Sequence, residues 1–345
     1  MKDGLSNPGA IVIGAGPVGL FAIFALGMAR IKTVVVDALD APGGQCAALY
    51  PEKPIYDIPA QPSILALDLI ERLLEQAKPF GPEFLMGVTA SRLSRDASGQ
   101  WRLALSDGRE LSAPVVVIAA GNGAFGPNRP PLPGIEAYEG QGEGRGVHYY
   151  VRRAADFAGK RVVIAGGGDS AVDWAILLAE TAKSVQIVHR RDKFRAQPES
   201  EARLKALAAE GKIELVTPYQ LHGLEGEGRA LRAVVVADLD GKTRRLEADA
   251  LLPFFGLAAD LGPIASWGLK VEEGRIRVDP ATCMTNLEGV FAIGDVALYQ
   301  GKLKLIATGF AEAAQAAHAA FSYAHPGQSR HVEHSTSTGV PATPS

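Results

Sequence analysis

Cysteine is almost missing from this chain. Only Cys46 and Cys283 occur among 345 residues, far apart in sequence. Such a pair excludes a disulfide framework, a cysteine-rich zinc site and a Cys-x-x-Cys redox motif. No metal centre is expected. An excess of charge of one sign is lacking too: 35 Lys and Arg stand against 38 Asp and Glu, a formal net charge of −3. That argues against gripping nucleic acid or an anionic membrane through bulk charge. There is no Asn-x-Ser/Thr sequon, and the N-terminus lacks the basic and apolar regions of a signal peptide. The most apolar run, Ile11 to Ala29, is broken near its start by Gly14, Gly16, Pro17 and Gly19, so it does not read as a membrane span. A cytoplasmic chain without nucleic-acid or membrane partners is expected.

Apolar residues make up 47% and charged residues 21%, which is ordinary globular usage. At ~150 residues per domain, the length predicts about two domains. The 39 glycines point to many positions that cannot carry a Cβ. Ala10–Ile13 suits a strand buried on both faces, Val18–Ala29 a helix, and Thr33–Asp37 a second strand. A helix is predicted over Ser63–Ala77, with Ser63 as its N-cap. Strand patterns follow at Trp101–Leu105 and Val115–Ile118, and Gly121–Gly146 reads as a linker rich in Gly and Pro. A second strand–helix–strand unit comprises Arg161–Ala165, Ser170–Thr181 and Val185–Val188. Further strands fall at Leu231–Asp238, Ala250–Phe254 and Val290–Ile293. Ile306–Tyr323 is a long Ala-rich helix. From Pro326 the chain is polar, and composition alone predicts disorder.

The two strand–helix–strand units carry related glycine loops, Gly14-Ala-Gly16-Pro-Val-Gly19 and Gly166-Gly-Gly168-Asp-Ser-Ala171. In such a loop the first glycine permits a tight turn. The second lets the backbone approach a pyrophosphate, and the third lets helix and strand pack closely. The following strands end differently. Asp37 comes 23 residues after Gly14, whereas Arg190 comes 24 after Gly166, flanked by His189, Arg191 and, further on, Arg195. An acid accepts hydrogen bonds from a free ribose and repels a 2′-phosphate, while arginine pairs with that phosphate. The first site therefore predicts a dinucleotide with a free ribose. The second predicts NADP, held by Gly166, Gly168, Asp169, Ser170, His189, Arg190, Arg191 and Arg195. Two such sites in one chain suggest a nicotinamide passing a hydride to a tightly held flavin.

Gly43-Gly-Gln45, the His189–Arg195 run and Gly289-Val-Phe-Ala-Ile-Gly-Asp295 resemble the thioredoxin reductases. Their cysteine pair would fall near Gly146–Val151, where this chain has none. Gly43–Lys53, Ala120–Phe125, Gly146–Val151 and His334–Ser337 resemble instead the thioredoxin-reductase-like (type 2) ferredoxin–NADP reductases, over about residues 8–338.

That resemblance implies an α/β fold of two Rossmann-like dinucleotide-binding domains in the three-layer FAD/NAD(P)-binding architecture, with a C-terminal extension. It implies an FAD domain over 1–122 and 285–328, an NADPH domain over 123–284, and a tail over 329–345 that partly covers the flavin and ends disordered. It also implies a homodimeric flavoprotein oxidoreductase passing electrons between NADPH and ferredoxin or flavodoxin. The implied FAD contacts are Gly14, Gly16, Gly19, Asp37, Gln45, Tyr50, Ala90, Phe125, Asp295 and Thr336. Tyr50 and His334 would stack on the two flavin faces, and no acid–base side chain is expected. Lys53, Lys302 and Lys304 are candidate docking charges for an acidic ferredoxin. The competing readings are an FAD- and NADP-binding redox sensor without rapid turnover, and a thioredoxin reductase-like enzyme without its cysteines.

Overall fold

Runs of β-branched and apolar residues that are buried on both faces build the two central sheets. In this computed structural model, residues 8–139, 145–328 and 339–340 are described, without the side chains of 124–127 and 257–259. The chain divides into two compact units, Met1–Phe125 with Ala259–Ser345, and Gly126–Ala258.

The first unit is centred on five parallel strands in the order Val290–Ala292, Val115–Ile118, Ala10–Ile13, Thr33–Asp37, Glu83–Met86. Side chains alternate between its faces. Val12, Val35, Val115 and Val117 pack with the helices Pro17–Met28, Ala66–Ala77 and Ile306–Ala324. Ile11, Ile13, Val34, Val36 and Val116 pack with an antiparallel sheet of Ala90–Arg95, Trp101–Leu105 and Glu110–Ala113. The result is three layers: helices, parallel sheet, antiparallel sheet. Pro17–Met28 has no polar side chain, as a helix covered on nearly all sides requires. Ile306–Ala324 buries Ala313, Ala316, Ala317 and Ala320, and this helical spacing of small residues allows close approach.

The second unit has four parallel strands in the order Ile213–Val216, Ser184–Val188, Arg161–Ala165, Ala250–Pro253. Val163, Ala165, Val188 and Leu251 pack on an antiparallel sheet of Gln220–Glu227, Ala230–Ala237 and Thr243–Glu247 through Leu231, Val234, Val236 and Leu246. Helices Asp169–Leu178 and Pro198–Ala209 pack together beside the parallel sheet.

Ser63 does not cap a helix. Ile64 and Leu65 pair as a short strand with Pro54 and Ile55, so the helix starts at Ala66 with Leu65 as its uncapped N-cap residue. Residues 259–284, expected with the second domain, fall in the first unit. Leu261, Ile264, Trp267 and Ile276 join its core, and Trp267 Nε1 donates to Ser91 O at 3.3 Å. Gly44–Leu49 and Pro198–Ala209 are helices that periodicity did not reveal.

Candidate functional site

The first glycine loop leaves the strand Ala10–Ile13 and runs into the helix Pro17–Met28. Its three glycines do different things. Gly14 has φ +107°, and a Cβ there would lie 2.4 Å from Ala119 O. A Cβ on Gly19 would lie 1.9 Å from Gly14 O, because the helix passes directly behind the turn. A Cβ on Gly16 would come no closer than 4.0 Å to its nearest neighbour, Gly44 Cα. It would project instead into a cavity of about 540 Å³ that Gly14 and Gly16 line.

Asp37 ends the second strand at the edge of this cavity. Its Oδ2 accepts the Ala15 N–H at 2.6 Å and its Oδ1 the Leu39 N–H at 2.8 Å. Burial pushes its carboxyl above the usual range, and the two N–H donors oppose that. Each oxygen keeps a further acceptor position for a ligand hydroxyl. Gln45, Cys46 and Tyr50, on and just after the short helix Gly44–Leu49, form another wall, and Ala90 lies across from them in the lining. The Cys46 thiol donates to the Tyr50 hydroxyl at 3.8 Å. Burial pushes Cys46 up to about 11 and also raises Tyr50, so both stay protonated at neutral pH. Asp295 comes from the turn Gly294–Val296, and Lys304, Leu305 and Ile306 lead into the last helix at the cavity's edge. That helix has no side-chain cap, so its first N–H groups stay available to an electron-rich ligand edge.

The second glycine loop lines a separate cavity of about 440 Å³ within the second unit, with Gly166, Gly167, Gly168, His189, Arg190 and Arg195. A Cβ on Gly168 would meet nothing within 4 Å, matching Gly16 in the first loop. Gly167 is glycine for another reason: its Cβ would lie 2.2 Å from the His189 ring. His189 is buried, stacks on Phe194 with ring centres 5.3 Å apart, and leaves Nε2 without a hydrogen-bond partner. Burial, then Arg195, Arg190 and Arg191, hold it below its usual range, so the ring is neutral. Arg195 N donates to Gly167 O at 2.6 Å, which holds the arginine's backbone beside the loop. Among the described residues no carboxylate pairs with Arg190, Arg191 or Arg195. An acid thus marks one cavity and unpaired cations the other. Each has an open glycine face and a helix start beside it, which is the donor set of a dinucleotide site.

Residues 9–320 match the pyridine nucleotide-disulphide oxidoreductase family. The ferredoxin–NADP reductase of Paramagnetospirillum magneticum is 61% identical over 332 residues, 96% of this chain and 97% of that one. The ferredoxin–NADP reductase of Rhodospirillum rubrum is 60% identical over 337 residues, 97% of this chain and 96% of that one. The chain belongs to the ferredoxin–NADP reductase family. A solved thioredoxin reductase from Lactococcus lactis shares its fold, with a TM-score of 0.77 at 27% identity over 92% of this chain and 99% of that one.

Within a family matched by a disulphide-reductase description, the thiols here are two separate buried groups. Cys283 lies against Gln315, Sγ to Oε1 3.7 Å, and burial pushes it up to about 12. Of the expected residues, Gly14, Gly16, Asp37, Gln45, Tyr50, Ala90 and Asp295 meet at the first cavity, while Gly19 supports the turn from behind. Phe125 belongs to the short strand Ala124–Pro127. His334 and Thr336 lie outside the described residues. At the second cavity Gly166, Gly168, His189, Arg190 and Arg195 come together. Asp169 instead accepts the Gln197 N–H at 2.9 Å, tying the loop to the start of a helix. Ser170 sits exposed in the first turn of Asp169–Leu178, and Arg191 is exposed outside the lining. Lys302, expected as a surface docking charge, is turned inward onto Glu312 with its side chain 2% exposed. Cys46, Leu261 and Ile264 in the first lining, and Tyr219 and Phe255 in the second, carried no sequence signal for these sites. Cys46 is on the short helix Gly44–Leu49 beside Gln45, and Leu261, Ile264, Tyr219 and Phe255 are brought alongside only by the fold. No helix among the described residues is long and apolar enough to cross a membrane.

Proposed function

We propose that this chain is an FAD-containing reductase that passes electrons between NADPH and ferredoxin or flavodoxin. The observation that carries the proposal is the contrast between Asp37 at one glycine loop and, at the other, Arg190 and Arg195, which are unpaired among the described residues. FAD fits the first cavity. Gly16 leaves the backbone open to a pyrophosphate, and Asp37 offers acceptors to a ribose. Asp295 offers acceptors to a polyol chain, and Tyr50 supplies an aromatic face. NADPH fits the second cavity, where Arg190 and Arg195 would take the 2′-phosphate and Gly168 the pyrophosphate. Arg191, Asp169 and Ser170 are assigned to the same cofactor at its outer edge.

When bound, FAD supplies the exchange between hydride transfer from NADPH and one-electron delivery to an iron–sulfur carrier. The chain's own contribution is position and field. The N-terminus of Ile306–Ala324 favours negative charge at its end of the cavity. Ile13, Val36, Val88 and Ile264 give the cavity an apolar lining. Burial keeps Tyr50 protonated, and the Cys46 thiol donates to its hydroxyl. The reading places His334 and Thr336 of the tail over the flavin's other face, and takes the active form as a cytoplasmic homodimer.

The test is a visible spectrum of the pure protein, followed by anaerobic NADPH and then ferredoxin. A flavin spectrum that bleaches with NADPH and recovers with oxidised ferredoxin is expected. Slow bleaching without turnover to any carrier would favour a redox sensor instead.

A further inference from the structure

The described part of the last helix buries one charged side chain, Glu312, which is 1% exposed. Its carboxylate ties together three segments. Oε2 accepts the Gly294 N–H at 2.7 Å. Oε1 accepts the Tyr299 hydroxyl at 2.7 Å and also the Lys302 ammonium. Lys302 is as buried as its partner and also lies 5.6 Å from the centre of the Tyr299 ring. Each segment leads to the first cavity. Gly294 begins the turn that carries Asp295. Tyr299 and Lys302 belong to the loop that continues into Lys304, Leu305 and Ile306 in the lining. Glu312 itself belongs to the helix that starts there.

Stability alone does not account for this arrangement. Removing two charges from water costs about as much as the pair recovers, and packed apolar residues of similar size would hold the segments as well. Two things are specific to the pair. One is an acceptor aimed at a single backbone N–H. The other is a carboxylate whose charge is cancelled on site, so that none is left behind the Asp295 turn.

We propose that Glu312, neutralised by Lys302 and oriented by Tyr299, is a positioning residue that sets Asp295 and the start of the last helix for the flavin. The inference rests on the reading of the first cavity as the FAD site. Loss of Lys302 would leave an uncompensated carboxylate behind the turn, which disfavours the extra negative charge of reduced flavin.

The experiment measures three quantities on the full chain: FAD affinity of the apoprotein, flavin midpoint potential, and apoprotein melting temperature. Lys302→Met is expected to weaken FAD about tenfold or more and to lower the midpoint potential. Lys302→Arg should keep both near the unaltered chain. The double variant Lys302→Met with Glu312→Gln should recover much of the loss, because Gln still accepts from Gly294 and no charge is stranded. Should Lys302→Met fail to fold, Tyr299→Phe removes one donor and no charge. It should weaken FAD by about threefold and lower the midpoint potential, beyond what any fall in apoprotein melting accounts for. Folded variants whose FAD affinity and potential stay within about twofold of the unaltered chain would overturn the inference. So would an affinity loss that follows apoprotein melting with no shift in potential. An unaltered chain that binds no FAD would instead overturn the reading of the cavity.

Discussion

Asp37 and Arg190 occupy nearly the same place in two copies of one unit with opposite charges, and on the proposed reading that contrast separates the two nucleotides. The carboxylate of Asp37 is fixed by the Ala15 and Leu39 N–H groups and faces the cavity with acceptors only. Arg190 and Arg195 line the other cavity, and their guanidiniums have no carboxylate partner among the described residues. A charged hydrogen bond is worth about 1.5–3 kcal/mol, or about tenfold to a hundredfold in binding. Arg190→Ala and Arg195→Ala should each raise KM for NADPH by about that factor and leave KM for NADH nearly unchanged. Arg191→Ala should do less, because its side chain is outside the lining. Steady-state kinetics with both nucleotides is the check, and equal losses for NADPH and NADH would refute the assignment.

Among the elements, the helices Pro17–Met28 and Ile306–Ala324 meet around Val18. Gly294 and Gly309 both face that side chain, and a Cβ on Gly309 would lie 2.3 Å from Val18 Cγ2. The first helix starts beside the glycine loop and the last starts at the same cavity, so their spacing sets its width. Gly309→Ala should therefore overpack the contact and destabilise the apoprotein by about 1–3 kcal/mol. Adding Val18→Ala to the same chain should restore part of that loss, since it removes the clashing methyls. Chemical denaturation of the apoproteins measures both effects. A Gly309→Ala variant of undiminished stability would show that the helices part without strain.

For the whole molecule, the same plan is used twice, 152 residues apart from Gly14 to Gly166. In each copy a parallel sheet carries its glycine loop at the end of a strand and packs one face on an antiparallel sheet. The described lining of the first cavity ends at Ile306 and that of the second at Gly256. Truncation after Gln328 should therefore keep the fold and most of the FAD. On the proposed reading it should also expose a flavin face, shift the flavin absorption band, and change ferredoxin reduction more than reduction of a small dye. Stopped-flow hydride transfer and steady-state ferredoxin reduction compare the two chains. Identical spectra and rates would remove His334 from the site.

Local sequence was sufficient for the doubly buried strands and the glycine loops. Ala10–Ile13, Thr33–Asp37 and Arg161–Ala165 form over the residues their apolar runs mark, because burial on both faces leaves no alternation to misread. The glycine loops and the acid-against-arginine contrast were legible because a turn, a helix start and a charge recur at fixed spacing. What depends on distant partners was not. Ser63 lost its capping role when Ile64 and Leu65 paired with Pro54 and Ile55. Residues 259–284 joined the first unit because Leu261, Ile264 and Trp267 found its core. Lys302 read as a surface charge, and only the approach of Glu312 from the last helix drew it inside. A lysine's surroundings are set by whatever chain folds over it, and no pattern within a few residues of position 302 carries that information.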